Sequence, residues 1–595
     1  MTINQRLGAL REAMQSAGID AYIIPSSDPH QSEYVAEYWK AREWISGFTG
    51  SAGTCAVTHG HAGLWTDSRY FLQAEEQLSV SDFELHKLGV QGASEHVGWL
   101  ANHLDQGGKV GCDPWVISLA EWRRMEKEFS KKGIELVATE DLVGAIRTDL
   151  PGLPAEEVFE QLVEYAGESR AEKLGRIRSS MHQEGATLHL LSTLDDIAWT
   201  MNVRGSDVQC NPVAISYAVV GKEKAWLFID EHKPTETLKQ SLTEDGVELK
   251  SYDEIHPFLE SLSVDETILI DPATTSKALF EAIQSAPVAE GSTIPIGLKA
   301  IKNTVEVEGI RRAMVKDGVA LTRFFRWFES TLAERGIPET EVAEQLAHFR
   351  SEQEGYYGES FDAIVGYKGN GAIVHYRAMP ETCATIQPEG ILLIDSGGQY
   401  RDGTTDITRT VALSEPDPSS KKHFTLVLKG HIALSECVFP EGTRGIQLDI
   451  LARQFLWNEH LNYGHGTGHG VGVFLNVHEP PQGFAPTLTS RGTTPFSAGI
   501  FSSNEPGFYK EGSYGIRIEN LILTVEAGQD ADGVQWLRFE NLTWFPIDKA
   551  LIDKTLLTES ECQWLNAYHK TVYELLSPQL NREECEWLAE KCAPV

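Results

Sequence analysis

Residues 44–67 and 199–230 run through the same succession of signals. The first reads WISGFTGSAG from Trp44 and reaches LWTD at 64–67; the second reads WTMNVRGSDV from Trp199 and reaches LFID at 227–230. In each, a tryptophan and a glycine-bearing turn precede an apolar strand, and a further strand ends in aspartate. Around both, helix-like and strand-like periods alternate, the first block to about residue 148 and the second from about 168 to 303. Alternation of that kind predicts α/β domains. The two stretches read either as weak copies of one domain or as unrelated α/β domains of similar design.

The chain is 595 residues long, and a single core stops growing near ~250–300 residues, so these blocks cannot be the whole. TDLPGLPAEE (148–157) has the prolines and acids of a linker. From Thr304 the character changes. VEVEGIRRAMVKDGVALTRFFRWFESTLAERG predicts a long helix, and strand-like segments rich in glycine, histidine and acid follow. Beyond about 543 the pattern is helical again, with Thr558 and Glu561 at capping-box spacing and NREECEWLAEKC closing the chain. We therefore expect domains at 1–155, 156–301, 302–543 and 544–595. The start, MTINQRLGALREAMQSAGID, reads as an amphipathic helix, not a signal peptide. No apolar run approaches a membrane span. Eight widely spaced cysteines without a CxxC pair suggest neither a zinc knuckle nor a disulfide framework, so the expected location is cytoplasmic. A formal net charge of −35 argues against nucleic acid or an anionic membrane as partner.

Four segments of the third block hold the chemistry. In LLIDSGGQYRDGTTDITRT (392–410), a hairpin could bring Asp395 and Asp406 to one spot, although aspartates beside glycine often only cap turns. In HGTGHGVG (465–472), three glycines disfavour helix by roughly 1 kcal/mol each. The stretch is therefore read as extended or looped, with one ligand and one substrate-facing histidine in place of a shared helical face. His478 follows an apolar run in FLNVHEPP, where a single histidine is more often structural. SSNEPGFY and GIRIEN supply Glu505 and Glu519, and a continuous strand would turn Arg517 and Glu519 to one side. Four carboxylates and one imidazole, without thiolate, suit two divalent ions such as Mn²⁺, and would admit Co²⁺, Fe²⁺ or Zn²⁺.

At these residues the chain resembles the metal-dependent pita-bread peptidases, and among them the long, three-domain cytosolic Xaa-Pro aminopeptidases. DSG-x₈-D, HGTGHG, SNEPG and the later IE stand in that family's order. The likeness extends through AYIIPSSDPHQSEY, SGFTGSAGT, DIAWTMNVRGSDVQCNPV, GYKGNGAIVHY, VLKGHIAL and FLNVHE, and so covers most of the chain. It implies two creatinase-like N-terminal α/β domains, a pita-bread (α+β) catalytic domain and a short helical extension. It implies Asp395, Asp406, His469, Glu505 and Glu519 as ligands of two divalent ions per subunit, Mn²⁺ first and Co²⁺ or Zn²⁺ as alternatives. His465 falls on the substrate side, His375 and His478 match the family's other active-site histidines, and Arg517 matches a residue that orients a metal-bound acid. The implied substrates are peptides with a free N-terminus and proline second, attacked by a hydroxide shared between the metals; the implied assembly is a homodimer. The alternatives are a prolidase restricted to dipeptides, or an inactive pita-bread protein that only binds peptides, which would show eroded ligands.

Overall fold

A computed structural model describes residues 1–90 and 94–595. It divides into two compact units, one comprising Met1–Leu162 and Glu168–Ile296, the other Val163–Gly167 and Gly297–Val595.

The first unit holds two six-stranded sheets. In the first sheet the strand Ala21–Pro25 is flanked by antiparallel Thr54–Thr58 and parallel Lys109–Cys112. Outward on one side come antiparallel Ala62–Thr66 and then parallel Glu84–Lys87 at the edge; Glu135–Ala138 is the parallel edge on the other. In the second sheet Leu188–Leu191 takes the central place, with antiparallel Ser216–Gly221 and parallel Ile268–Ile270 beside it. Ala225–Ile229, Val247–Lys250 and Val288–Glu290 complete it in the same order and the same directions. Shared order and shared directions across six strands are the structural counterpart of the repeated sequence signals, and they favour copies of one design. Trp44 lies on the helix Ala41–Ser46 and Trp199 on the helix Leu194–Met201, each ahead of an antiparallel pair of its sheet, Thr54–Thr58 with Ala62–Thr66 and Ser216–Gly221 with Ala225–Ile229. The proline-bearing linker has no regular structure from Pro151 to Glu157.

The first helix, Ile3–Ala17, begins in a Thr2/Gln5 capping box and buries Leu7, Leu10 and Met14, the stripe its spacing predicts. All of its buried positions belong to the core that also takes Tyr22, Ile24 and Val57 from the sheet.

The second unit opens with the helix Thr304–Leu332, 29 residues long and capped by Asn303 with Glu306. Two antiparallel sheets matter for the site. One joins Ile364–Tyr367, Ile391–Ser396 and Ile407–Ala412. The other runs in the order Val438–Pro440, Gln535–Asn541, Asn520–Gln529, Phe501–Asn504, Gly468–Gly470, Glu479–Phe484. A separate hairpin pairs Gly507–Lys510 with Tyr514–Arg517. The expected C-terminal helices form as Glu559–Leu576, with the Thr558/Glu561 capping box, and Arg582–Lys591, capped by Asn581. Leu565, Tyr568, Val572, Leu576 and Leu588 from these helices enter the core that holds Phe508, Ile516 and Ile518. One expectation fails here: GIRIEN is not one strand. The chain breaks at Ile518–Glu519 between the hairpin and the larger sheet: the Ile518 N–H still donates to Pro506 O (3.3 Å) in the hairpin register, but Pro506 has no N–H to return, and the Glu519 N–H turns to Thr408 O (3.2 Å).

Candidate metal centre

Asp395 and Asp406 meet because their strands pair. Asp395 stands opposite Thr408 in the ladder, and Asp406 lies just beyond its last pair, Ser396 with Ile407. The turn between them depends on Gly397, where a Cβ would come within 2.0 Å of Thr405 O and 2.2 Å of Ser360 Oγ. The glycines of HGTGHG are likewise set by close backbone approach. A Cβ on Gly468 would fall 2.1 Å from Ser503 O, and one on Gly470 would fall 2.3 Å from Glu479 O. The stretch is extended, as its composition predicts, with His469 in the short strand and His465 in the loop before it.

Asp406, His469 and Glu519 each offer a ligand atom within 4.8 Å of the other two. His469 Nε2 lies 3.6 Å from Asp406 Oδ2 and 3.4 Å from Glu505 Oε1. The other ring nitrogen, Nδ1, donates to Gly470 O at 2.9 Å, which leaves Nε2 with its lone pair toward the acids. Asp395 Oδ1 is buried with no hydrogen-bond partner, while Oδ2 accepts from Arg517 Nη2 at 2.5 Å. The facing groups are thus four carboxylates and one imidazole lone pair, all acceptors, with Arg517 the cation bonded to them. That arrangement fits divalent cations: without them, like charges and lone pairs confront one another at 3.4–3.6 Å in a site where Asp406, His469 and Glu519 are at most 5% exposed.

The electrostatics record the same crowding. Burial, then Glu519, Asp395 and Glu505, hold Asp406 well above the ordinary carboxylate range. Burial, then Glu505 and Asp395, do the same to Glu519. Glu505 is pushed up to about 7, chiefly by burial and against the pull of Arg517.

Several supporting residues carry no local motif. Thr408 Oγ1 accepts from Arg517 Nε (3.0 Å) and donates to Glu519 Oε2 (2.8 Å), fixing base and acid together. Ser503 Oγ accepts from the His469 N–H (3.0 Å) and donates to Glu505 Oε1 (3.2 Å). Tyr509 takes a hydrogen bond from Arg517 Nη1 at 2.6 Å; since arginine only donates, the phenol hydrogen goes to His465 Nε2 at 2.7 Å. His465 Nδ1 then donates to Gly466 O at 2.7 Å, which sets a neutral ring. Arg409 is buried behind the site, with Nη1 on Glu519 O (2.7 Å) and Nη2 on Asn520 Oδ1 and Tyr568 OH (both 2.9 Å).

His478 is half-buried, its ring edge-on to His469 with centroids 4.4 Å apart. His375 follows the short turn Lys368–Ala372 and is half-buried; it is not part of the ligand cluster. Its segment is anchored by buried Glu339, which accepts from the Tyr367 and Ala384 N–H groups (each 2.8 Å) and from Tyr376 OH (2.8 Å). The structure therefore draws Asp395, Asp406, His469, Glu505, Glu519, Arg517, His465 and His478 into one neighbourhood, and leaves His375 on its margin.

Residues 308–526 match the model of metallopeptidase family M24, and 535–595 that of the C-terminal region of peptidase M24. Residues 6–148 and 149–306 each match a creatinase/prolidase N-terminal domain. Aminopeptidase P2 of Arabidopsis thaliana is 41% identical, covering all of this chain and 89% of that one. A probable Xaa-Pro aminopeptidase P of Sordaria macrospora is also 41% identical, covering both chains in full. The crystal structure of the X-prolyl aminopeptidase of Caenorhabditis elegans, described as a cytosolic enzyme with a di-nuclear active site, superposes with a TM-score of 0.96 at 35% identity over the whole of both chains.

Proposed function

Because the chain belongs to metallopeptidase family M24, and matches its Xaa-Pro aminopeptidase P members from end to end, we propose that it removes the N-terminal residue from peptides whose second residue is proline. The observation that carries this reading is the buried cradle of four carboxylates and one imidazole lone pair with one bonded arginine. The enzyme is a metallopeptidase with two divalent ions at Asp395, Asp406, His469, Glu505 and Glu519, and we assign Mn²⁺ to them on the oxygen-rich donor set. When bound, such a pair supplies Lewis acidity toward a carbonyl and makes a water acidic enough to ionise near neutrality.

The chain's own groups do the rest. Glu505 takes the proton of the attacking water and passes it to the leaving proline nitrogen, which carries no hydrogen of its own in the peptide. His478 donates to the oxygen that gains charge at the scissile carbonyl, a contribution of ~2.7–4 kcal/mol per donor in well-studied sites. Asp395, held by Arg517, receives the free amine of the substrate. His465, kept neutral and oriented by Tyr509, lines the proline side together with His375. Location in the cytoplasm is supported by likeness to the Caenorhabditis elegans enzyme, described as cytosolic, and assembly as a homodimer by likeness to the three-domain enzymes. No helix among the described residues is long and apolar enough to cross a membrane.

The test is release of the first residue from Arg-Pro-Pro, abolished by chelator and restored by Mn²⁺. Glu505→Gln is expected to lower turnover at least ~100-fold, the low end for a positioned proton-transfer group. Cleavage of Gly-Pro without cleavage of Arg-Pro-Pro would make the chain a dipeptidase instead, and near-normal turnover in Glu505→Gln would remove Glu505 from proton transfer.

A further inference from the structure

We propose that the first six-stranded sheet carries a third divalent-cation site, of the zinc class, with His61, His86 and Glu84 as its ligands. Each offers a ligand atom, and these atoms lie within 4.8 Å of one another. The placement follows from strand geometry. Gly63 pairs with Glu84 and Trp65 with His86 in the parallel edge pair, and alternate residues of a strand share a face. Gly63 and Trp65 therefore stand in one row and Glu84 and His86 in the next, and His61 immediately precedes the first of these strands, Ala62–Thr66. The first row has a gap: a Cβ on Gly63 would meet the Trp65 ring at 2.4 Å and His86 Cδ2 at 2.9 Å. The absent side chain is what allows the imidazole of His86 to lie over the strand toward His61.

The two rings face each other through nitrogen. His61 Nε2 and His86 Nε2 are 3.2 Å apart. Two bonds of ~2.05 Å to a common ion at that separation subtend roughly 100°, close to the tetrahedral value zinc prefers. Both rings are held in place by indoles. Trp65 stacks on His86 with centroids 4.0 Å apart and planes 8° from parallel, and Trp99, on the helix His96–His103, stacks on His61 at 4.4 Å and 29°. The Glu84 carboxylate stands beside the His61 ring, Oε1 3.8 Å from its Nδ1, and completes the group of three with negative charge. Its side chain is 73% exposed while that of His61 is 18% exposed, so an ion there has an open approach from solvent and two pre-set nitrogens beneath it. Two imidazoles and one carboxylate favour Zn²⁺, Co²⁺ or Ni²⁺ over Mg²⁺ or Ca²⁺.

The test counts ions on the full-length holoenzyme. Mn²⁺-loaded protein is dialysed against buffered Zn²⁺, and total manganese plus zinc per chain is measured by mass spectrometry. The expected sum is three for the unaltered chain and two for His86→Ala and for His61→Gln, each retaining Xaa-Pro cleavage and its circular dichroism. Glu84→Gln, altered at a solvent-exposed side chain, keeps the fold in any case and is expected to weaken the third zinc roughly tenfold or more. A sum of two for the unaltered chain, or an unchanged sum of three in the variants, overturns the proposal and leaves the two rings sharing a hydrogen bond. Loss of Arg-Pro-Pro cleavage in the unaltered chain would bear on the catalytic reading alone.

Discussion

Arg517 touches three groups that have no sequence relation to one another: Asp395 across 122 positions, Thr408 across 109 and Tyr509 across 8. Through them it steadies an acid of the centre, a hydroxyl that holds Glu519, and the phenol that orients His465. A guanidinium can do this because its donors form a rigid planar fork; an ammonium cannot. Arg517→Lys is therefore expected to keep the fold yet lower Mn²⁺ affinity about 10–100-fold, the range for losing a group that orients a ligand. Titration calorimetry on chelated protein would show it, and unchanged affinity would reduce Arg517 to a bystander. The four acids and one histidine proposed for the centre were singled out by the order of the family-like motifs DSG-x₈-D, HGTGHG, SNEPG and IE, not by any one motif alone. Arg409, Thr408, Ser503, Tyr509 and Glu339 could not be singled out in that way. They are ordinary residues whose roles exist only once distant strands have paired, and no local pattern marks them.

At the scale of elements, the C-terminal helices do more than cover a core. Tyr568, on the helix Glu559–Leu576, donates to Phe545 O (2.8 Å) and accepts from Arg409 Nη2 (2.9 Å). Arg409 in turn holds the Glu519 carbonyl at the very break between hairpin and sheet where Glu519 must leave the ladder. The extension thus fixes from behind the backbone of Glu519, one of the proposed ligands. Tyr568→Phe removes the hydroxyl's hydrogen bonds to Phe545 and Arg409, about 0.5–1.5 kcal/mol of stability each. It is expected to lower Mn²⁺ affinity beyond what that loss alone accounts for, whereas an equal destabilisation placed elsewhere, such as Leu7→Val, leaves the metal untouched. Equal metal affinities in the two variants would make the extension a cover and nothing more. The capping boxes of these helices were legible from Thr558 and Glu561, but the use made of Tyr568 was not. The opposite holds for GIRIEN, whose alternation promised one strand and which divides where Pro506 can return no hydrogen bond and the Glu519 N–H turns to Thr408.

For the whole molecule, the cost of gathering acids falls on the metal-free protein. In the unfolded chain carboxylates titrate near ~4, whereas in the folded, chelated chain Glu505 titrates at about 7 and Asp406 and Glu519 well above their usual range. The folded state then binds more protons than the unfolded one, so this part of the stability is whole at low pH and is lost as pH rises through about 7. Divalent ions bind the ionised forms and remove the loss. The difference in Tm between Mn²⁺-loaded and chelated protein is expected to widen from about pH 5 to about pH 8; a difference independent of pH would mean that the acids do not repel one another as placed. The repeat in the first unit was hinted at in the sequence by paired tryptophan-to-aspartate runs, which left copies and unrelated domains both open; the shared strand order was not legible, because it is set by pairing between distant strands. That both sheets lie within one compact unit was not legible either, because packing between domains leaves no periodic trace.

The central claim is that five side chains from four separate segments converge on a pair of ions. Crystals of the Mn²⁺-loaded protein, measured at the manganese absorption edge, test it directly. Two anomalous peaks ~3.5–4 Å apart, within bonding distance of Asp395, Asp406, His469, Glu505 and Glu519, are expected. A single peak, or peaks held by other side chains while these five point apart, would contradict it.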